Sequence, residues 1–351
     1  MKRQVLFAFG LLTFLNSHAM PPMYRRAERI LVEGSPVRVV RTVYNGSFFA
    51  YGSESHDFND FLVEDGKATN ITKKFPQFKN VEIAQPGAGV WAARWQEPFK
   101  QYSGYYKDGK LTEVVPWTWN GYRGSLYMTG GGGDWIGGYS TGAGPENPHK
   151  TVGLAYNPKT GERIDIADDR YNQFVGASPN NTLVYMSDWS EIAGTFEATH
   201  GIFRIKNGVN KFLGYGFAFG INRHDQVLSS LATHSMWMTE ADGSVWQVGS
   251  QNTNFQITYG ALDDFGNVLA YRVDEKMMIA NGDTWFPLES RIEGGYSLDN
   301  PMMDPVTGSL YSRIKGRESE GVYRFDPVPE PGTLAALGLG VAALLRKKRQ
   351  V

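Results

Sequence analysis

Seven short β-type segments recur along the chain at a near-constant interval, and no other feature limits the possible folds as sharply. Each follows a turn rich in Gly, Asn or Asp, and they begin at Phe48, Val90, Trp135, Leu183, Val227, Val268 and Leu310. Successive starts lie 42, 45, 48, 44, 41 and 42 residues apart. A period of about 40 residues marks a chain built from one supersecondary unit used repeatedly, each copy too small to bury its apolar face alone.

The first six segments are each followed by a second strand that ends in a tight turn. The turns are Asp65-Gly66, Asp108-Gly109, Thr160-Gly161, Asn207-Gly208, Asp242-Gly243 and Asn281-Gly282. Glycine, with Asn or Asp before it, accepts the positive φ of a two-residue hairpin. Apolar residues flank these turns, as in Phe203-Arg204-Ile205 before Asn207-Gly208 and Val209-Asn210-Lys211-Phe212 after it. The 41 Gly, 20 Phe, 18 Tyr and 9 Trp suit sheet, and between the chain ends no long apolar stretch follows the 3.6-residue period.

Antiparallel units of three or four strands, repeated without helices, predict an all-β fold, a β-propeller of seven blades. The seventh unit runs through Val322-Tyr323-Arg324-Phe325 and then meets Pro327, so its outer strand is missing. The N-terminal strand around Val37-Arg38-Val39-Val40 is left over and is expected to fill that place, closing the ring and removing two exposed edges. A six-bladed ring or a pair of sandwiches is the rival architecture.

Both ends of the chain carry transport signals. Lys2-Arg3 precedes an apolar run from Val5 to Leu15, and Ser17-His18-Ala19 offers a small-x-small cleavage site. These are the parts of a secretory signal peptide, cut after Ala19 by signal peptidase. At the other end Pro329-Glu330-Pro331 is followed by Gly332-Thr333, an apolar run from Leu334 to Leu345, and the basic cluster Arg346-Lys347-Lys348-Arg349. As a helix the run would reach about 18 Å against a hydrocarbon core of about 30 Å, which disfavours a permanent span. The four cations form a cytoplasmic membrane stop.

The order of tripeptide, apolar run and basic cluster resembles the PEP-CTERM sorting signal of Gram-negative bacteria. The resemblance implies that Pro329, Glu330 and Pro331 mark the region processed by an exosortase, a membrane enzyme, and that the tail enters the membrane transiently on the way to the cell surface. Three segments follow: a signal peptide at 1–19, a repeat domain at 20–327, and a sorting and membrane helix at 328–351. Within the body, Gly220-Ile221-Asn222-Arg223-His224-Asp225-Gln226-Val227, Ser235-Met236-Trp237-Met238 and the Asp-Gly turn after them resemble the HAF-type repeat of bacterial exported proteins, mainly over residues 217 to 290.

Charge and cysteine exclude several classes of function. Without Lys2, Arg3 and the four cations of the tail, 29 basic residues face 36 acidic ones, near net charge minus seven. No Lys/Arg stripe remains to neutralise a phosphate backbone, which argues against nucleic-acid binding. Cysteine is absent, so disulfides, thiol chemistry and cysteine metal sites are ruled out and core burial must hold the fold.

Motifs with catalytic associations fail on context. Gly138-Tyr139-Ser140-Thr141-Gly142 fits the G-x-S-x-G pattern, but the loop Ala143-Gly144-Pro145 follows where a nucleophile elbow needs a helix. The glycines at 130 to 133 lack the Gly-Lys-Ser/Thr of a phosphate loop and precede Asp134, so they read as a turn. His56, His149, His200, His224 and His234 show no H-E-x-x-H pair or i, i+4 partner. Asp57-Phe58-Asn59-Asp60 and Asp263-Asp264-Phe265-Gly266-Asn267 are rich enough in oxygen to attract calcium. Neither follows an EF-hand loop, and turn formation is the simpler account. No cofactor is expected.

The aromatic residues supply the one sharp hypothesis about a partner. Trp91 and Trp95 share strand parity, as do Trp117 and Trp119 in Pro116-Trp117-Thr118-Trp119-Asn120-Gly121. Trp117, Trp119 and Trp135 are candidates for stacking on the apolar faces of sugars. The competing account is that bulky rings fill the wedges between blades. The expected function is therefore a non-enzymatic cell-surface or matrix protein that binds extracellular polysaccharide or another surface partner. The alternative is a secreted carbohydrate-active hydrolase or lyase with paired carboxylates at the propeller's central mouth.

Overall fold

A computed structural model describes residues 20–328 apart from 53–58, 99, 117, 120–121, 124, 142–150, 167–171, 189–199, 232–234, 251–256 and 273–275. Ala19, the sorting residues Pro329, Glu330 and Pro331, and the cations Arg346, Lys347, Lys348 and Arg349 lie outside the described residues. So do the signal peptide and the C-terminal helix expected from sequence.

The body is an all-β propeller of antiparallel sheets, whose strands within a sheet follow sequence order except for the N-terminal strand, which joins the last sheet. The first sheet is Val39–Tyr44, Ser47–Tyr51, Asp60–Glu64 and Lys67–Asn70, and the second is Asn80–Gly87, Val90–Glu97, Lys100–Lys107 and Lys110–Glu113. Ser125–Gly132, Trp135–Thr141, Thr151–Tyr156 and Arg163–Ile166 form the third. A seven-stranded sheet runs from Asn172–Ala177 to Val245–Gln247. A further four-stranded sheet holds Ile257–Leu262, Val268–Arg272, Met277–Ala280 and Trp285–Pro287. Leu298–Met303, Leu310–Ile314, Val322–Val328 and Met23–Arg29 make the last. All seven recurrent segments fall on a second strand, and each predicted Gly turn joins a third strand to a fourth. At Asp65-Gly66, Asp108-Gly109 and Asn207-Gly208 both turn residues have positive φ, as the shortest hairpins require.

Two sequence expectations are corrected. Five separate four-stranded blades stand where seven were expected, because the fourth and fifth units are joined in the seven-stranded sheet. The thirteen-residue strand Val209–Ile221 causes this: its first part pairs with His200–Lys206 and its second with Val227–Leu231. No Pro, Asn or Asp interrupts Phe212 to Ile221. Gly214 and Gly216, at φ 147° and 144°, let the chain bend without leaving the ladder. The closing strand is also a different one. Met23–Arg29 pairs with Val322–Val328, whereas Val39 and Val40 open the inner strand of the first sheet.

Packing joins each sheet to the next. Phe49 and Leu62 of the first sheet meet Val81, Ile83, Trp91 and Trp95 of the second, and Val90, Ala92, Leu126, Met128 and Ile136 join the second to the third. Across the bend in the long sheet, Val184, Met186 and Ile202 pack on Ala218 and Val227. Tyr311 and Val322 of the last sheet pack on Val40, Phe48 and Phe61 of the first, which closes the ring.

A hydrogen-bonded belt ties the turns between first and second strands. Asp304 accepts from Asn45 N and Gly46 N at 2.9 and 2.7 Å. Asp264 N donates to Pro305 O at 2.7 Å, and Asp264 accepts from Arg223 N at 2.8 Å. Asp225 accepts from Ser178 Oγ, Asn181 Oδ1 accepts from Asp134 N at 3.3 Å, and Gly133 O accepts from Ala88 N at 2.5 Å. Buried carboxylates hold neighbouring turns here, and charge-assisted bonds of this kind are each worth about 1.5–3 kcal/mol.

Candidate functional site

Antiparallel order gives the ring two unlike ends. The belt turns and the Gly hairpins share one end of the strands, and the second-to-third loops and sheet-to-sheet connections share the other. Val322–Val328 is a third strand, so Val328 lies at the hairpin end, with its register partner Met23 beside it. The chain therefore enters and leaves the ring at the hairpin end.

The candidate tryptophans separate into two groups. Thr118–Trp119 pairs with Tyr122–Arg123 in a two-stranded ribbon on the connection between the second and third sheets, which belongs to the connector end. Trp117 and the side chain of Trp119 lie outside the described residues. Trp135 is corrected as a stacking candidate: its side chain, 7 % exposed, packs with Ala155, Phe174, Ala177 and Leu183 between sheets. Trp91 and Trp95 are buried too, Trp91 donating to Glu64 Oε1 at 2.7 Å and Trp95 stacking on Tyr102 at 5.8 Å.

The axis of the ring encloses a cavity of about 190 Å3 lined by the innermost strands. Each of those strands carries a register shift against its neighbour, for example between Met128 and Gly130, Phe174 and Gly176, and Ala218 and Gly220. Bulges turn an extra residue out of the ladder, and Thr129, Val175 and Phe219 at these shifts line the cavity. Gln85, Gly131, Gly220, Met302 and Met303 are also in its wall, and no described lining residue is titratable. Such a wall can hold a small apolar or amide-bearing group. It offers no proton donor or base for acid–base chemistry.

A larger cavity, about 420 Å3, lies between the first and second sheets and holds the chemistry that the axis lacks. Arg41 of the inner strand, Tyr51, Asp60, Thr72, Phe75, Phe78 and Lys79 line it. Asn70 caps the one-turn helix Ile71–Lys74 through Lys73 N at 2.8 Å, which places Thr72 to accept from Asp60 N at 2.9 Å. Arg41 lies over the Tyr51 ring at 4.7 Å. Phe75 and Phe78, half-buried and 6.1 Å apart, form an apolar wall. Across the junction Asn80 Nδ2 donates to Glu82 Oε1 at 3.0 Å, and Arg94 forms an ion pair with the same Glu82.

Asp60 is the unusual member. It is 8 % exposed, and its Oδ1 is buried with no hydrogen-bond partner. Burial, reinforced by Glu82 and opposed by Arg41, pushes its carboxyl up to about 6. A raised native pKa means that the folded chain holds a proton between about pH 4 and 6 that the unfolded chain has released. Stability from this group is then present below pH 4 and falls away as pH rises to 6. Asp60→Asn is expected to stabilise the protein at pH 7.5 by on the order of 2 kcal/mol, with the gain shrinking towards pH 4. Urea unfolding at the two pH values checks this, and a pH-independent effect or a loss contradicts it.

Other sequence candidates resolve as structure. Ser140 lies buried within the strand Trp135–Thr141, not on an elbow. Gly132 stands where a Cβ would come 1.8 Å from Ala177 O, so the glycine run serves close approach between sheets. Asp263 accepts from Phe265 N at 2.9 Å, from Asn267 N at 2.8 Å and from Asn267 Nδ2 at 2.8 Å, the pattern of a turn former. Asp57 and Phe58 lie outside the described residues, and Asp60 opens a strand with its carboxylate turned inward. Among the described residues no group of three His, Cys, Asp or Glu is placed to hold a metal.

Comparison with known proteins adds one decisive match. Residues 327–350 match the family model described as the PEP-CTERM protein-sorting motif. The chain carries a PEP-CTERM sorting motif. The motif implies an exported protein processed by an exosortase. Among the described residues no helix is long and apolar enough to cross a membrane. No curated protein matches the chain. Among solved structures, the β-propeller domain of the Trilobed protease from Pyrococcus furiosus is 9 % identical with a TM-score of 0.44, over 88 % of this chain and 96 % of that one. A streptogramin B lyase is 12 % identical with a TM-score of 0.47, over 86 % and 96 %. PorZ, a surface component of the type-IX secretion system of Porphyromonas gingivalis, is 11 % identical with a TM-score of 0.45, over 86 % of this chain and 48 % of that one. Strand order and inter-sheet packing define the propeller independently of these similarities.

Proposed function

We propose that the PEP-CTERM protein is a non-enzymatic module displayed at the cell surface, where its propeller binds extracellular polysaccharide. The observation that carries this reading is the asymmetry of the ring. Val328 lies at the hairpin end, so while the tail is inserted during delivery the connector end points away from the membrane. That outward end bears the Trp117 and Trp119 segment and the mouth of the cavity at Asp60. In this arrangement the two halves of the seven-stranded sheet each take a blade's place in the ring, a view supported by the packing of Val184 and Met186 on Ala218 and Val227. The hydrolase or lyase reading needs paired carboxylates at the central mouth, and the described lining of that cavity supplies none.

Signal peptidase would cut after Ala19, and the exosortase would act at Pro329, Glu330 and Pro331 after transient insertion stopped by Arg346, Lys347, Lys348 and Arg349. Changing Pro329-Glu330-Pro331 to alanines is expected to leave export intact while blocking tail processing and surface release, read as a larger, membrane-retained protein on fractionation. A binding screen of the exported protein against polysaccharides tests the ligand. A tail variant of parental size and location refutes the delivery half, and a screen without a hit refutes the binding half.

A further inference from the structure

From the lining of the cavity between the first two sheets, we infer that it is a binding site for an uncharged sugar ring, with Asp60 accepting from ligand hydroxyls and Phe75 and Phe78 covering the apolar face of the ring. This deepens the polysaccharide reading and rests on it. It adds a site that the sequence did not single out.

Three observations converge on the ligand class. Asp60, only 8 % exposed, lines a cavity of about 420 Å3, and its buried Oδ1 has no hydrogen-bond partner. Folded chains seldom leave such an atom unpaired, and the cost is tolerable where a ligand donor arrives to fill it. The same cavity has aromatic lining, and half-buried Phe75 and Phe78, their rings tilted 34° to each other, offer ring faces on which the C–H face of a pyranose can pack. The volume suits one or two sugar units, within the roughly 300–1,000 Å3 of small-molecule sites. Charge then narrows the class. An anionic group at the base would meet Asp60 with Glu82 behind it, and a cation would have to compete with Arg41 and Lys79 at the mouth. A neutral hydroxyl donor meets no such opposition, and Arg41, Lys79 and Asn80 remain to donate to its ring and glycosidic oxygens.

The surroundings of Asp60 also set a pH signature. The groups around it are Arg41 from the inner strand, Tyr51 from the second strand, Lys79 from the connection before the second sheet, and Glu82 from that sheet. The helix contributes Thr72, while Lys74 is directed to the Tyr106 ring. Tyr51 is raised above its ordinary value of 10.0 by burial. A carboxyl pushed up to about 6 titrates between pH 5 and 7, so on acidification one oxygen becomes a donor and the charge that strengthens acceptance is lost.

The test is titration calorimetry of the exported protein against a panel of neutral oligosaccharides, made of glucose, galactose, mannose and N-acetylglucosamine oligomers, at pH 7.5 and 5.0. Parental protein is expected to bind at least one member, about tenfold more weakly at pH 5.0. Asp60→Asn should weaken binding at pH 7.5 by tenfold or more and abolish the pH dependence, and Phe78→Ala should weaken it similarly, with both variants retaining the parental circular dichroism. Binding by the parent that both variants keep overturns this site while sparing the polysaccharide reading. No binding by the parent to any neutral member, with binding to acidic polysaccharides in the wider screen, overturns the uncharged ligand. No binding to any saccharide overturns both.

Discussion

Deleting residues 20–29 is expected to leave a chain that aggregates or fails to fold, and Tyr24→Ala alone should cost about 3–5 kcal/mol in urea unfolding. Tyr24 is fully buried at 0 % exposure, in a cluster with Leu269, Ile279, Leu310 and Phe325 that joins the last two sheets. Its strand is the outer strand of a sheet whose other three come from the far end of the chain. Removing it bares the edge of Val322–Val328 and opens the contact that makes the ring continuous. Truncation to Ala leaves the ladder intact but empties a site the size of a tyrosine, with little freedom to collapse between two sheets. A deletion that melts like the parent would mean that the ring does not depend on this strand.

The sequence disclosed the repeat because its punctuation is local. A Gly after Asp or Asn needs only its own φ to specify a hairpin, so Asp65-Gly66, Asp108-Gly109 and Asn207-Gly208 were visible without any knowledge of distant partners. The closing strand was not. Met23 to Arg29 contains four charged residues and one deeply buried ring, a weaker strand pattern than Val37-Arg38-Val39-Val40, and only its pairing with residues about 300 positions away identifies it. The merger of two units in one sheet was hidden for the opposite reason. Gly214 and Gly216 look like punctuation, yet here they keep the strand going.

The site at Asp60 was less legible still. Asp57-Phe58-Asn59-Asp60 reads as an oxygen-rich turn, and burial of the last carboxylate depends on helix Ile71–Lys74, on Lys79 of the connection, and on Asn80 and Glu82 of the next sheet. A signal existed in the aromatic pair Phe75 and Phe78 just after that helix, on a connection between units. Connections at one end of a propeller are where binding residues collect on a rigid scaffold, and that reasoning needs the ring before it can be applied. The belt turns, by contrast, are legible as turns from their Gly, Asn and Asp residues. What sequence could not give was that Asp304, Asp264 and Asp225 reach across to their neighbours.

Trp135→Ala should destabilise the protein by about 3–5 kcal/mol, because an indole packed between two sheets leaves a cavity that neither sheet can fill. The ring is 7 % exposed among Ala155, Phe174, Ala177 and Leu183, and the backbone O of Trp135 lies so close to Gly87 that a Cβ there would approach to 1.8 Å. The sheets are thus fixed on both sides of the vacated space. Trp117→Ala with Trp119→Ala makes the informative contrast, since in sequence these residues fall between the last strand of the second sheet and the first of the third. On the proposed function the double variant melts within about 1 kcal/mol of the parent and loses polysaccharide affinity, stacking contributions being about 0.5–1.5 kcal/mol per ring beyond the area buried. Trp135→Ala should show the reverse, with affinity per folded molecule unchanged. Urea unfolding and polysaccharide titration on the same preparations separate the two. If the double variant loses several kcal/mol of stability, Trp117 and Trp119 are core like Trp135, and the outward face must bind its ligand through the Asp60 cavity alone.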